Sequence, residues 1–248
     1  MSHGCHISTT SIIMTTLKPA QSSILVRQFI RSISFLSQAT EEEIQYLCRH
    51  ATFLDLKRFE IVYHKGEPCT SIYYVCSGMI KISAHQNMGK EVIRTICHAS
   101  MFFGEGSLSN QKLHSAMAQS LDRKTTLIQI EAAALRRVME QNANVCLALF
   151  DEIGARLRRN QNRLESVIIE DARTRIINFL KENAEIYGNK VGLNELLLKH
   201  NYTQQDIADF TGTSRQTVTT ILNDLKRSNV ISMNRRRILI RDAAMLGI

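Results

Sequence analysis

Hydrophobic and polar residues alternate along this chain with more than one period, and each period predicts a different element. Between residues 60 and 130, short β-branched or aromatic runs at 60–63, 71–76, 79–84, 91–97, 115–119 and 125–130 are separated by Gly, Pro, Asn or Asp. Short runs at such close spacing predict antiparallel strands that form a small barrel or jelly roll. From Leu135 to about Ile169 the period changes: Cys146, Phe150, Ile153, Leu157, Asn160, Leu164 and Val167 recur at alternating spacings of four and three. That pattern predicts one long helix with a coiled-coil seam, and it favours a parallel partner helix over packing on the chain's own strands. Upstream, Thr40 and Glu43 stand at capping-box spacing ahead of a helix that runs into the first strand. The N-terminal stretch, residues 1–27, is expected as a disordered tail that gives way to a first helix from about Ser22.

Residues 203–231, TQQDIADFTGTSRQTVTTILNDLKRSNVI, predict two short helices joined by a tight turn. In the first, Thr203 stands three residues before Asp206, and Ile207, Ala208 and Phe210 supply packing. Thr211-Gly212-Thr213 breaks the helix. The second is expected to start at Thr213, with Gln216 as its capping partner, and to bury Val218, Ile221, Leu222 and Leu225. Its opposite face carries Gln216, Thr219, Thr220, Asn223 and Arg227, flanked by Arg215 and Lys226. An amphipathic surface hairpin and a helix pair that enters a major groove fit this spacing equally. Residues 231–233 and 238–240 then predict two short strands around Asn234-Arg235-Arg236-Arg237, a basic hairpin directly after the second helix. The combination predicts a winged helix-turn-helix whose arginines suit phosphate contact. Glu170-Asp171 marks a hinge ahead of a helix through Arg175, Ile176, Ile177, Phe179 and Leu180, and residues 189–201 are expected to be a loop.

Composition narrows this picture. A chain of 248 residues builds two modest domains without disulfide support, and a formal charge of +8 favours a polyanionic partner. The six cysteines include no Cys-x-x-Cys pair, so their spacing supports neither a zinc site nor a compact iron–sulfur set, and reduced thiols in a cytoplasm are expected. No stretch approaches the length of a membrane span, and no membrane partner is expected. The first forty residues lack Asp and Glu and carry Lys18, Arg27 and Arg31, a superficial likeness to a transit segment; a tail is preferred, and Met14 is a candidate start. With no phosphate-binding Gly-Lys loop, metal-ligand cluster or nucleophile–base pattern, no enzymatic role is expected.

The segments HKGEPCTSIYYVCSGMIKIS, GKEVIRTI and FFGEGSL, in that order, resemble the cyclic-nucleotide-binding β-roll of the Crp/Fnr family of bacterial regulators. SRQTVTTILNDL and its basic hairpin are similar to the winged helix-turn-helix of the same family. The resemblance implies an α+β chain: an antiparallel, jelly-roll-like sensor over residues 28–134, a dimerisation helix over 135–170 and a DNA-binding domain over 171–248. It implies a cytoplasmic homodimer that binds double-stranded DNA at a pseudo-palindromic site and works with RNA polymerase. A haem- or redox-responsive member of the family and a cyclic-nucleotide-binding regulatory subunit are the rival functions.

The resemblance also assigns residues. Thr203, Gln205 and Ser214 fall near phosphates, and Arg215 and Gln216 where relatives contact bases, with Arg215 suited to guanine and Gln216 to adenine. Thr219, Thr220, Arg235 and Arg236 complete the expected DNA surface, Thr220 standing where an arginine is common. For the effector, Gly104, Glu105, His114, Ser115, Asn160 and Gln161 occupy the matching positions. His114 stands at the arginine position that grips a cyclic phosphate; histidine is mostly neutral near pH 7 and lacks the two-pronged fork, so cyclic AMP control is not expected. Lys112 is the nearest substitute charge. Cys97-His98 offers both atoms of a haem axial ligand pair, yet a packed thiol beside a surface ring is the preferred account, and the N-terminal region holds only Cys5 for an iron–sulfur cluster.

Overall fold

The computed structural model describes residues 19–85, 91–109, 111–234 and 237–241. Two helices, α1 (Pro19–Ser32) and α2 (Glu41–Arg49), precede eight strands. Helix α1 begins at Pro19, close to the first helix expected from about Ser22 and inside the 1–27 stretch given as a tail, and its Val26 and Ile30 are buried. The capping box of α2 forms as its spacing predicts: Thr40 N donates to Glu43 Oε2 at 2.7 Å, and Glu43 N donates to Thr40 Oγ1 at 3.3 Å.

The strands are β1 (Ala51–Lys57), β2 (Ile61–Tyr63), β3 (Ser71–Ser77), β4 (Met79–His85), β5 (Glu91–His98), β6 (Phe102–Phe103), β7 (Met117–Ser120) and β8 (Lys124–Glu131). They form two antiparallel four-stranded sheets, β1-β8-β3-β6 and β2-β7-β4-β5, which face each other as a roll. Strand β3 shows why its sequence is apolar almost throughout. Tyr73 and Val75 point between the sheets with Ile80, Ile82, Phe103 and Leu127, while Ile72 and Tyr74 point outward beneath Ile30, Phe35 and Leu47 of the N-terminal segment. Both faces are therefore dry, and alternation is lost. Between β3 and β4, Gly78 sits at φ +86°, where an added Cβ would lie 2.5 Å from Thr125 Oγ1, so the tight turn requires glycine.

After the roll come α3 (Ala132–Gln141) and α4 (Ala143–Ile169). The expected single helix from Leu135 is thus interrupted at Asn142, whose extended backbone ends α3 and whose Oδ1 accepts from Asn144 N at 3.1 Å and Val145 N at 3.4 Å. An asparagine cap competes well against helix continuation, and the seam residues are too sparse around it to overrule the break. Glu170 ends α4 and Asp171 caps α5 (Ala172–Tyr187), which places the break at the predicted pair.

The C-terminal unit adds β9 (Asn189–Lys190), β10 (Leu196–Lys199), α6 (Gln204–Thr211), α7 (Arg215–Arg227), β11 (Ile231–Asn234) and β12 (Arg237–Ile240). Its sheet runs β11-β12-β10-β9, so residues 189–201, expected as a loop, supply two strands to the wing. Leu196 and Leu198 are the reason: they are buried at every second position against α5. This unit does not hang free. Met79, Ile93, Ile96 and Leu121 of the roll share one apolar cluster with Ile176, Phe179, Ile207 and Leu222 of the C-terminal unit.

Candidate DNA interface and effector cavity

Helix α6 starts with the predicted box: Asp206 N donates to Thr203 Oγ1 at 3.0 Å, and Thr203 N donates to Asp206 Oδ2 at 2.8 Å. Gly212, at φ +66°, turns the chain toward α7. The cap of α7 is Ser214 rather than Thr213: Thr217 N donates to Ser214 Oγ at 3.0 Å. Gln216 is accordingly free of capping and exposed, beside exposed Arg215, while Val218, Ile221, Leu222 and Leu225 are buried as predicted. The shift by one residue sets where the helix N-terminus, and hence its exposed side chains, begins.

The other expected DNA residues divide by what already engages them. Thr220 is exposed and donates to the Gln216 carbonyl at 3.1 Å, and Gln205 is exposed and donates to Asp209 Oδ1 at 2.8 Å. Thr203 is exposed, although its hydroxyl also donates to Asp206 Oδ2 at 2.7 Å. The Thr219 hydroxyl lies 2.7 Å from Gln204 Oε1 and ties α7 to α6. Arg235 and Arg236 lie outside the described residues, between paired strands β11 and β12.

Among the polar contacts that hold this reader to the rest of the chain, three sets stand out, and none was anticipated from sequence. Buried Lys81 of β4 places Nζ 2.9 Å from Glu91 of β5 and 3.4 Å from Asp206 of α6. Arg163 of α4 donates to the carbonyls of Ile93 and Arg94, each at 2.8 Å, and to that of Phe210 in α6, with its guanidinium over the Phe210 ring. His98 is buried, not the surface ring expected: Nε2 lies 2.8 Å from Tyr202 Oη, and the ring stacks on Tyr187 at 3.5 Å. Burial drives the His98 pKa down to about 4, and burial raises the neighbouring Cys97 thiol to about 12. A neutral thiol sealed in the core and a ring nitrogen committed to Tyr202 do not fit a haem ligand pair.

The expected effector residues converge except for one. Gly104, Glu105, His114, Ser115 and Asn160 line one cavity of about 190 Å³ between β5, the segment just before β7 and α4; Gln161 is exposed and does not line it. Lys112 is likewise outside the lining. His114 is buried, with its ring flat against Tyr63 at 3.5 Å and 4° between planes. Loss of solvent lowers its pKa, so the ring is uncharged at neutral pH. The cations come from elsewhere. Arg156 of α4 pairs with Glu105 at 3.1 Å, and Arg94 of β5 donates to Ser115 Oγ at 2.8 Å.

On α4 the seam residues Phe150, Leu157, Leu164 and Val167 are exposed and Ile153 is half-buried, with Asn160 among them; Leu147, Ile168 and Ile169 extend the apolar surface. Phe150 is 71% exposed, far more than a helix packed on its own domain leaves an aromatic ring. Among the described residues, no helix is long and apolar enough to cross a membrane and no group of three or more candidate side chains could hold a metal ion.

A roll with a lined cavity, a helix with an uncovered apolar stripe and a winged helix-turn-helix together define a DNA-binding regulator of transcription. The cyclic nucleotide-binding domain family matches residues 53–142, and the Crp-like helix-turn-helix domain family matches residues 174–247. The chain belongs to the Crp/Fnr superfamily of transcriptional regulators. It is similar to a CRP-like cAMP-activated global transcriptional regulator of Mycobacterium tuberculosis, at 29% identity over 78% of this chain and 86% of the relative. The global nitrogen regulator of a Synechocystis strain is 22% identical over 77% of this chain and 84% of its own length. Among solved structures, FixK2 from Bradyrhizobium japonicum superposes with a TM-score of 0.71 at 20% identity, covering 79% of this chain and 95% of the other. The helix-turn-helix match removes the rival of a regulatory subunit, which needs only the roll. The relatives are regulators and not enzymes.

Proposed function

We propose that the protein is a homodimeric, sequence-specific regulator in which residues 28–134 sense a small effector, α4 forms the dimer axis and residues 171–248 read DNA. The observation that carries this proposal is the exposed polar face of α7, which opens at the Ser214 cap with Arg215 and Gln216 and continues through Thr220 and Asn223. A helix that presents hydrogen-bonding groups from its N-terminal end, followed by a two-stranded wing, suits a major groove with flanking phosphate contacts. The exposed stripe of α4 supports dimerisation, since a second copy of the same helix covers it with matching spacing.

Coupling follows from who shares side chains with whom. Asn160 belongs both to the cavity lining and to the seam, and Arg163, one turn further along α4, holds α6. Ligand in the cavity then biases how the two copies of α4 pack, and through Arg163 how each reader sits on its roll, a shift between two dimer populations. Double-stranded DNA in the cytoplasm is the partner, with RNA polymerase as the machinery served.

Selection of duplexes from a random pool, with and without cyclic AMP, tests the reader and the sensor together. Two related half-sites about one helical turn apart are the expected yield. Enrichment of isolated half-sites, or none over random duplex under every condition, overturns the dimeric reader.

A further inference from the structure

In the effector cavity, the position expected to carry the anion-gripping arginine is His114. Its ring is pinned against Tyr63 and is uncharged at neutral pH, and its backbone N–H donates to the Glu67 carbonyl at 2.8 Å. Two guanidinium groups line the same cavity, and they are not equivalent. Arg156 is neutralised by Glu105 at 3.1 Å, and it also stacks on Phe102 and donates to the Phe102 carbonyl. Arg94 reaches Ser115 Oγ at 2.8 Å and, among the described residues, has no carboxylate within ion-pair distance. One permanent positive charge is left over at the solvent-exposed edge of the cavity.

The donors around that charge are arranged in three dimensions. The β7 ladder begins at Met117, so Ser115 and Ala116 form a bend ahead of the strand, with their backbone N–H groups outside the ladder pairing. A guanidinium fork, a hydroxyl and successive backbone N–H groups aimed from different sides suit the three outward oxygens of a tetrahedral phosphoryl group better than the two coplanar oxygens of a carboxylate. We propose that Arg94, in place of the residue at position 114, grips a phosphoryl group of the effector in this cavity. The proposal deepens the regulator reading above and rests on it.

The position of Arg94 also gives the grip a consequence. Arg163 donates to the backbone carbonyls of both Ile93 and Arg94 and to that of Phe210 in α6. A strand segment that tightens around an anion is therefore joined through a single side chain to the reader. Arg94 is a specificity-determining residue that also reports occupancy to the DNA unit.

The test uses the full chain labelled with nitrogen-15 and titrated with inorganic phosphate at constant ionic strength, with chloride as the control. Saturable shifts at the Arg94 side-chain N–H and the Ser115 and Ala116 amides, one site per chain, are expected. Arg94→Gln is expected to weaken binding at least tenfold, Arg94→Lys to fall between, and His114→Arg added to Arg94→Gln to restore it by returning a guanidinium to the other side of Ser115. Wild-type affinity in a folded Arg94→Gln protein, shifts confined to α6 and α7, or no saturation beyond the chloride control overturns the grip. Displacement of phosphate by cyclic AMP at the same resonances assigns the phosphoryl group to a nucleotide; a phosphate response that cyclic AMP leaves unchanged supports the grip with another phosphorylated carrier. Selected duplexes that still bind when the phosphate response is absent overturn the grip alone and leave the DNA reader standing.

Discussion

Replacing Lys81 by methionine removes one charge from the contact between roll and reader while keeping the length of the side chain. Lys81 is buried, as is Asp206, and the two atoms that meet are 3.4 Å apart. At an effective dielectric of about 20, a pair at 3.4 Å attracts by about 5 kcal/mol, an upper bound because desolvation opposes it. Leaving a buried partner unpaired typically costs about 3–5 kcal/mol, and here the buried carboxylate is that of Asp206. The expected destabilisation of Lys81→Met is therefore about 3 kcal/mol or more. Because one side of the contact lies on β4 and the other on α6, the first consequence is loss of docking between the units rather than collapse of either.

A double-mutant cycle with Asp206→Asn isolates the contact. One carboxylate oxygen of Asp206 serves the Thr203 cap and the other faces Lys81, so asparagine keeps the cap acceptor and turns a donor toward the ammonium. Urea unfolding of the four proteins gives the coupling energy, and hydrogen exchange at the α6 amides shows where the loss is felt. A coupling of about 1.5 kcal/mol or more is expected, with faster exchange in α6 for each single variant. A coupling below about 0.5 kcal/mol, with α6 exchange unchanged, would refute the Lys81–Asp206 contact as a link between roll and reader in solution.

Other outcomes follow from the same geometry. Arg215→Ala is expected to cost about 1–3 kcal/mol of discrimination between selected and random duplex in competition binding, and equal losses on both would remove it from base readout. His98, held at about 4 in the fold against an ordinary 6.5, favours the neutral ring; its stabilisation is complete above about pH 6.5 and fades as pH falls toward about 4, by about 3 kcal/mol in all. His98→Gln should flatten that part of the stability–pH curve, with the remaining slope in the same direction from His114 and His200, whose pKa values burial also lowers. Leu164→Glu, on the exposed stripe of α4, should convert dimer to monomer in sedimentation equilibrium without lowering the roll's own melting temperature; an unchanged dimer would place the interface elsewhere.

Much of the architecture was legible because local rules and tertiary packing agree. Thr40 and Thr203 cap where their spacing says, and the buried stripe of α7 is the predicted one. Disagreements cluster where two rules compete. Thr213 and Ser214 are both acceptable caps, and the choice fell on Ser214 once Gly212 took the left-handed turn. Asn142 reads as one polar residue in a long helix, but its side chain also donates to the Gln38 carbonyl at 3.1 Å and to Glu43 Oε2 at 2.9 Å, tertiary partners far away in sequence that favour the break.

The cations missed from sequence share a reason, and it bears on function. Lys81 stands between Ile80 and Ile82 and Arg94 between Ile93 and Thr95, and by alternation alone each reads as solvent-facing. For Lys81 that face is covered by α6; Arg94 stays exposed, but at the edge of a cavity that α4 also lines. Arg156 and Arg163, seven residues apart on α4, likewise read as the polar side of a coiled coil, yet they reach β6, β5 and α6. A strand's polar phase means water only when no second unit packs on it. In a chain built from a sensor and a reader, the charged residues on that phase can join the two units, and there a substitution such as Arg94→Gln can alter ligand preference and reader position together while leaving every hydrophobic period intact.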